Sequence, residues 1–160
     1  MKTINRLLIL ITIVLFASSC AKKHTIKLYV NTAEIQDTTV NKHSDFGQKD
    51  GSSNEDYTVE VKVGDEITWE GVSTSGKKDD KVNIISIEYV SGINVFDTKK
   101  LPDSLSTRKY PEKVVGKILY STEFDGKENE YKYKITFEVI REGKNIGIFV
   151  IDPKLQVRKK

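Results

Sequence analysis

The stretch YKYKITFEVI, residues 131–140, alternates apolar and polar side chains from its first position to Val139. Its polar positions are Lys132, Lys134, Thr136 and Glu138, while Tyr131, Tyr133, Ile135, Phe137 and Val139 fall on the opposite face. Side chains alternate between the two faces of a β-strand, whereas a helix would scatter these aromatic residues around its circumference. The pattern therefore predicts a half-buried strand.

Similar alternation or short apolar runs recur through most of the chain. The predicted strands, besides 131–140, are 25–31, 57–63, 66–70, 82–90, 114–124 and 146–151, with 155–157 as an extension of the last one past Asp152-Pro153. Gly64-Asp65 is a turn candidate that joins two of them tightly, and Gly116 is a candidate bulge. About seven strands at this spacing predict an all-β fold, a single antiparallel β-sandwich.

Three polar segments separate these strands, at 32–56, 71–81 and 91–113. Gly, Ser, Asn, Asp and Lys dominate residues 41–56, which predicts a mobile loop, with a short edge strand around Ile35–Val40 as an alternative. Because sandwich loops gather at the ends of a rigid scaffold, we expect any binding to involve these three segments.

The amino terminus has the pattern of a targeting segment. Lys2 and Arg6 precede the ten-residue apolar run Leu7–Phe16, and the small residues Ala17-Ser18-Ser19 follow it. Ten helical residues rise about 15 Å, roughly half of the hydrocarbon core, so a permanent transmembrane helix is not expected. A buried core helix is the alternative, but little else in the chain is helical enough to pack on it.

Small residues that end in Cys20 resemble the lipobox of bacterial lipoproteins, although Ala17 stands where Leu is usual. The resemblance implies cleavage between Ser19 and Cys20, lipidation of the Cys20 thiol, fatty acylation (palmitate) and attachment to a membrane. An ordinary secretory signal and a free thiol are the alternatives. The expected organisation is a signal peptide at 1–19, a lipidated tether at 20–24 and a β-sandwich domain at 25–160. Ala21, in place of Asp, favours the outer membrane, facing the periplasm.

Charge argues against a nucleic-acid partner. Cleavage would remove Lys2 and Arg6, so that Lys and Arg fall from 26 to 24 against 23 Asp and Glu, and the formal net charge falls from +3 to +1. The remaining charges are interspersed, which is typical of a solvated surface.

The segment VEVKVGDEITWEG, residues 59–71, resembles the strand, turn and tryptophan of cupredoxins. A cupredoxin-like or immunoglobulin-like arrangement is therefore expected, but a blue-copper site needs two His, one Cys and usually a Met. The chain offers only His24, His43 and Cys20, with no methionine beyond Met1. The ligand set is incomplete, so no metal or cofactor is expected.

Catalytic patterns are equally weak. Ser44 follows His43 directly, which is not the arrangement of a nucleophile and its base. Asp79-Asp80 and Asp50 with Asp56 do not follow the oxygen spacing of a calcium loop. We interpret these as solvated loop carboxylates and predict no catalytic residue and no enzyme activity.

A second resemblance covers about half of the predicted mature chain. Residues 131–157, with 57–70 and 82–96, are similar to small β-sandwich proteins of the AidA/PixA inclusion-body type and to short Bacteroidetes proteins. The resemblance implies a β-sandwich fold and supplies no catalytic residues. We expect a membrane-anchored, non-catalytic binding or structural module; a small-ligand or carbohydrate-binding module is the alternative, and an electron-transfer protein is a distant third.

Aromatic residues divide into two predicted groups. Those on inward strand faces are expected in the core: Tyr57, Trp69, Tyr131, Tyr133 and Phe137. The more exposed residues, which are candidates to line a binding surface, are Tyr29, Tyr110 and Tyr120.

Overall fold

The computed structural model describes residues 21–102, 113–123, 126 and 129–159. Its strands are β1 (Lys23–Val30), β2 (Ser44–Asp45), β3 (Thr58–Lys62), β4 (Glu66–Ser73), β5 (Lys81–Gly92), β6 (Lys100–Leu101), β7 (Lys113–Lys117), β8 (Tyr131–Arg141), β9 (Lys144–Ile151) and β10 (Lys154–Arg158). A short 3₁₀ helix spans Asp37–Lys42. This helix takes the place of the edge strand considered for Ile35–Val40.

The strands form two sheets that pack face to face, which confirms the predicted all-β sandwich. The first sheet has the order β2-β1-β4-β7, and the second has the order β3-β10-β8-β5-β6. In the second sheet β9 and β10 follow one another along the same edge of β8, with Asp152-Pro153 between them. The predicted extension past Pro153 is therefore confirmed, and the Pro153 carbonyl accepts a hydrogen bond from the Tyr133 N–H.

The sheets are mixed, whereas the sequence predicted purely antiparallel pairing. β1 runs parallel to β4 over eight residue pairs, and β10 runs parallel to β3 over five. β3 and β4, which Gly64-Asp65 joins tightly, lie in different sheets. Alternation of side chains defines which face of a strand is buried, but it carries no information about the neighbouring strand.

The core fills the space between the sheets with aromatic side chains from both. The Trp69 indole N–H donates to the Tyr133 hydroxyl at 3.2 Å, and the two rings meet edge to face. Tyr131 and Phe137 are also buried, as predicted. Tyr57 is half-buried and stacks on Phe46 with ring centroids 4.3 Å apart.

Three local expectations about strands were wrong. β7 ends at Lys117, and residues 118–123 continue as a loop. Gly116 is not a bulge, because β7 pairs with β4 in unbroken register; a Cβ there would lie 2.6 Å from Leu101 Cδ1. In the apolar run 146–151, Ile148 and Val150 point outward and are exposed, because β9 is covered on only one face.

The strand directions give the sandwich two distinct ends. At the N-terminal end, β1 and β4 begin and β3 and β10 finish, so that four segments meet there: 22–24, 62–66, 117–122 and 157–159. At the distal end three connections meet, 31–44, 74–80 and 141–144.

Candidate functional site

A buried carboxylate organises the N-terminal end. Asp65, which is 4% exposed, accepts hydrogen bonds from the Lys22 backbone N–H at 2.9 Å and from the Lys62 backbone N–H at 3.0 Å. His24 Nε2 donates to the second carboxylate oxygen at 2.8 Å. The turn that carries Asp65 requires Gly64, whose φ is +92°. One side chain thereby joins β1, β3 and the start of β4.

Opposing effects set the pKa of Asp65. Burial alone would raise it, but the Lys22 N–H, the His24 side chain and the Lys62 N–H together hold the pKa below the ordinary value of 3.8. Hydrogen bonds to a carboxylate favour its charged form, so Asp65 is ionised at neutral pH.

The chain that enters the sandwich is fixed from Lys22 onward. The Lys22 carbonyl accepts a hydrogen bond from the Glu66 N–H at 2.9 Å, and β1 starts at the next residue. The strand thus begins two residues before the predicted 25–31, and His24 belongs to it. Ser19 and Cys20, the predicted cleavage and lipidation residues, lie outside the described residues.

A second buried carboxylate organises the distal end. Asp80 accepts hydrogen bonds from the hydroxyls of Thr32 and Ser75 and from the Glu142 backbone N–H, each at 2.7 Å. These bonds, led by that of Thr32, lower the pKa of Asp80 from 3.8 to about 2. The expectation of a solvated loop carboxylate was wrong for Asp80, which is 6% exposed, because its partners come from distant parts of the chain.

Two of the three predicted binding segments meet at this network. Thr32, from segment 32–56, bonds Ser73 and Asp80, so it joins that segment to 71–81. The Arg141 side chain adds a hydrogen bond to the Thr32 carbonyl at 2.6 Å. Segment 91–113 lies elsewhere: Phe96 packs under Trp69 in the core, and residues 103–112 are outside the described part of the chain.

A cleft of about 360 Å³ opens beside the distal network, between the end of β4 and the start of β5. Its lining carries both signs of charge, from Glu70, Lys77, Asp80, Lys81 and Lys113. The described lining includes no aromatic ring on which a sugar would stack. The cleft therefore suits a small charged group better than a carbohydrate.

The structure separates the residues that a metal or catalytic site would need. His24 lies at the N-terminal end, whereas His43 lies at the distal end with Nδ1 3.4 Å from Glu34 Oε2. The Ser44 hydroxyl donates to the Val40 carbonyl rather than to His43. Across the ranges that the structure describes, no three His, Cys, Asp or Glu side chains are grouped to hold a metal ion.

Sequence reasoning missed Asp65, Thr32 and Asp80 as organising residues. Asp65 was noted only for its turn, and its buried position has a local signal in the Gly-Asp that follows an alternating strand. Thr32 and Asp80 have no such signal, because they are 48 residues apart.

Within the described ranges, none of the helices has the length and apolar character needed to span a bilayer. No family model matches the chain, and no curated protein sequence matches it significantly. Solved structures do match, among them the crystal structure of the inclusion body protein PixA from Burkholderia cenocepacia. It superposes with a TM-score of 0.59 at 11% sequence identity, over 89% of this chain and 99% of that one. This likeness supports, at the level of fold, the expected resemblance to AidA/PixA proteins.

Proposed function

We propose that this chain is an envelope lipoprotein, anchored through lipid on Cys20, that acts as a non-catalytic binding or structural module. The signal-like residues 1–19 and the lipobox-like position of Cys20 support the anchor. Ala21 favours the outer membrane, with the sandwich in the periplasm. The fold shared with an inclusion body protein is in keeping with a structural role.

The observation that carries this proposal is the fixed entry of the chain into the sandwich. Lys22 and His24 bond to Asp65, so only Ala21 separates Cys20 from the hydrogen-bonded structure. Two extended residues reach about 7 Å at most. A lipid on Cys20 would hold the N-terminal end of the domain directly against the bilayer.

The same geometry would present the distal end to the compartment. β8 has 11 residues, which at about 3.3 Å per residue gives the sandwich a length of roughly 35 Å. The cleft beside Asp80 and the loops around it would face away from the membrane, at a fixed height. This arrangement suits a module that holds a partner at a set distance from the bilayer.

The test of the proposal is the substitution Cys20→Ser in the full chain. We expect the variant to lose incorporation of labelled palmitate and to leave the membrane fraction. A matched control is the double variant Cys20→Ser with Ser91→Cys, which restores one thiol on an exposed strand position and should not restore labelling. If Cys20→Ser still took up fatty acid and sedimented with membranes, the proposal would be wrong.

A second candidate function is the binding of a small charged ligand in the distal cleft. Three lysines line the cleft, Lys77, Lys81 and Lys113, against Glu70 and Asp80, and this balance favours an anion. Equilibrium dialysis of the full chain against inorganic phosphate should show binding that Lys81→Glu abolishes. Equal retention by Lys81→Glu, or none by either protein, would remove this candidate.

A further inference from the structure

Two apolar side chains are held in solvent at the N-terminal end of the sandwich. Leu119 is 39% exposed and Tyr120 is 51% exposed. Both backbone N–H groups donate to the Val95 carbonyl, at 2.9 and 3.3 Å, and the Ile118 N–H donates to the Asp65 carbonyl at 2.8 Å. The loop is therefore fixed immediately before these residues.

The loop is fixed immediately after them as well. The Thr122 N–H and the Ser121 hydroxyl both donate to the Val157 carbonyl at 2.9 Å, and the Val157 N–H donates back to the Thr122 hydroxyl at 2.9 Å. Bonds on both sides prevent the loop from turning Leu119 and Tyr120 inward. Their exposure is a property of the folded backbone.

Basic residues are frequent in the segments that form this end of the sandwich. The four segments of the N-terminal end contain the acidic residues Asp65 and Glu66, and Glu60 and Glu123 adjoin them, against six basic residues: Lys22, Lys23, Lys62, Lys117, Arg158 and Lys159. Glu66 pairs with Lys23 at 3.4 Å, and Glu60 pairs with Arg158 at 3.1 Å. Among the described residues, the N-terminal end therefore keeps an excess of two positive charges.

The distal end provides an internal comparison. Its three connections contain five acidic and five basic residues: Glu34, Asp37, Asp79, Asp80 and Glu142 against Lys42, Lys77, Lys78, Arg141 and Lys144. Of the two ends, only the N-terminal one carries a positive excess among the described residues, although the predicted mature chain is nearly neutral. That end is also where the chain leaves toward Cys20.

We infer that the N-terminal end of the sandwich is a lipid-contacting face, which binds the surface of an anionic bilayer through Leu119, Tyr120 and the lysines of that end. Tyrosine is favoured where apolar chains meet water, and lysine stems lie along apolar surface while their ammonium groups reach lipid phosphates. Basic residues near an anionic leaflet add to the attraction of a lipid anchor. The inference deepens the proposed function and rests on it for the orientation of the domain.

The test places a fluorescent reporter on this face. Full-length Tyr120→Trp is reconstituted into vesicles of phosphatidylcholine, alone or mixed with phosphatidylglycerol, in which the acyl chains are brominated to quench tryptophan. The matched control is Ile148→Trp, because Ile148 is 57% exposed on the outer face of β9. Trp69 is buried and gives the same background in both variants.

We expect emission of Tyr120→Trp to fall roughly twofold in phosphatidylglycerol vesicles, while Ile148→Trp is unchanged. Added salt, or the triple change Lys62→Glu, Lys117→Glu and Lys159→Glu, should remove most of the quenching. Cooperative thermal unfolding of each variant checks that the sandwich is intact, and Leu119→Trp serves as a second reporter.

Three results would overturn the inference: no quenching of either Tyr120→Trp or Leu119→Trp, equal quenching of Ile148→Trp, or equal quenching without phosphatidylglycerol. A face that bound a protein instead would give the first of these. Palmitate labelling of the same preparation separates the two proposals. A protein that is labelled but not quenched would support the lipid anchor and exclude the lipid-contacting face. A protein that is quenched but not labelled would support the lipid-contacting face and exclude the lipid anchor.

Discussion

Both ends of this sandwich are organised around a buried aspartate that accepts three hydrogen bonds, yet the donors differ. At the distal end Asp80 is held by two hydroxyls and one backbone N–H, so the network joins three loops. At the N-terminal end Asp65 is held by two backbone N–H groups and His24, so the network fixes the incoming chain. A buried aspartate thus joins the loops at the distal end and fixes the incoming chain at the N-terminal end.

The difference matters because a buried carboxylate is tolerated only when its hydrogen bonds are made. Thr32 is fully buried, so its loss should be felt throughout the distal network. His24 is 27% exposed at the side chain, so water compensates for part of its loss. We therefore expect the distal end to be the more sensitive of the two.

The largest expected effect comes from Gly71, where β4 crosses β5 beside the distal cleft. A Cβ there would lie 2.3 Å from the Val82 carbonyl oxygen, and backbone cannot move aside cheaply. We expect Gly71→Ala to lower the free energy of unfolding by about 3 kcal/mol, as measured by urea denaturation. Gly116→Ala is the control, since the three atoms nearest to the added Cβ belong to the side chains of Leu101, Phe96 and Trp69, and it should cost less. Equal losses in the free energy of unfolding would contradict this order, because they would show that the packing at Gly71 and at Gly116 tolerates an added methyl group equally.

Thr32→Val tests the distal network without changing side-chain shape. It removes one donor to Asp80 and leaves a buried carboxylate under-bonded, so we expect a loss of about 2 kcal/mol in the free energy of unfolding. Thr38→Val, at an exposed position of the 3₁₀ helix, should leave stability unchanged. A Thr32→Val protein as stable as the parent would contradict the role assigned to this network.

His24→Gln tests the N-terminal network in the same assay. Asp65 would keep both backbone donors, so we expect a smaller loss of about 1 kcal/mol. Lys23→Gln removes only a solvent-exposed ion pair with Glu66 and should change stability by less than about 0.5 kcal/mol. If His24→Gln cost more than Thr32→Val, the expected order of the two ends would be reversed.

The smallest expected effect is the pH dependence of the stability that Asp80 contributes. The folded-state pKa of Asp80 is about 2 against an ordinary 3.8, so its ionised form contributes stability above pH 3.8 that is lost as pH falls toward 2. Asp80→Asn should unfold at a lower temperature than the parent at neutral pH, and the gap should narrow between these two pH values. Asp79→Asn, at an exposed neighbour, should show no such convergence. A gap that stayed constant down to pH 2 would contradict the Asp80 network.

Local patterns were sufficient to locate most of the longer strands, because a period of two survives in the sequence wherever one face is buried, but the two-residue strands β2 and β6 were not predicted. Residues 131–140 became β8 almost without change, and Trp69, Tyr131 and Tyr133 lie in the core as predicted. The run 146–151 was misjudged because an apolar side chain on an outer face looks the same in sequence as a buried one. Ile148 and Val150 show this.

Pairing and polar networks were beyond local reasoning. Nothing near Gly64-Asp65 indicates that the chain passes there from one sheet to the other. Asp80 lies in the charged run KKDDK, which is typical of solvent, and its burial depends on Thr32 and Glu142 from remote segments. The organising residues of the distal end are therefore visible only in three dimensions, whereas Asp65 has the local signal of its Gly-Asp turn.

The parallel pairing of β1 with β4 has a mechanical consequence. A pull on Lys22 toward the N-terminal side acts along the axis of β1, and the eight residue pairs from Lys23–Glu66 to Val30–Ser73 bear that load together as shear. The last strand, β10, shares only five such pairs with β3. The first strand is therefore the stronger point of attachment. Tension that acted across the sheet would separate the strands one hydrogen bond at a time, whereas a domain tethered through β1 is loaded along the strand and resists it.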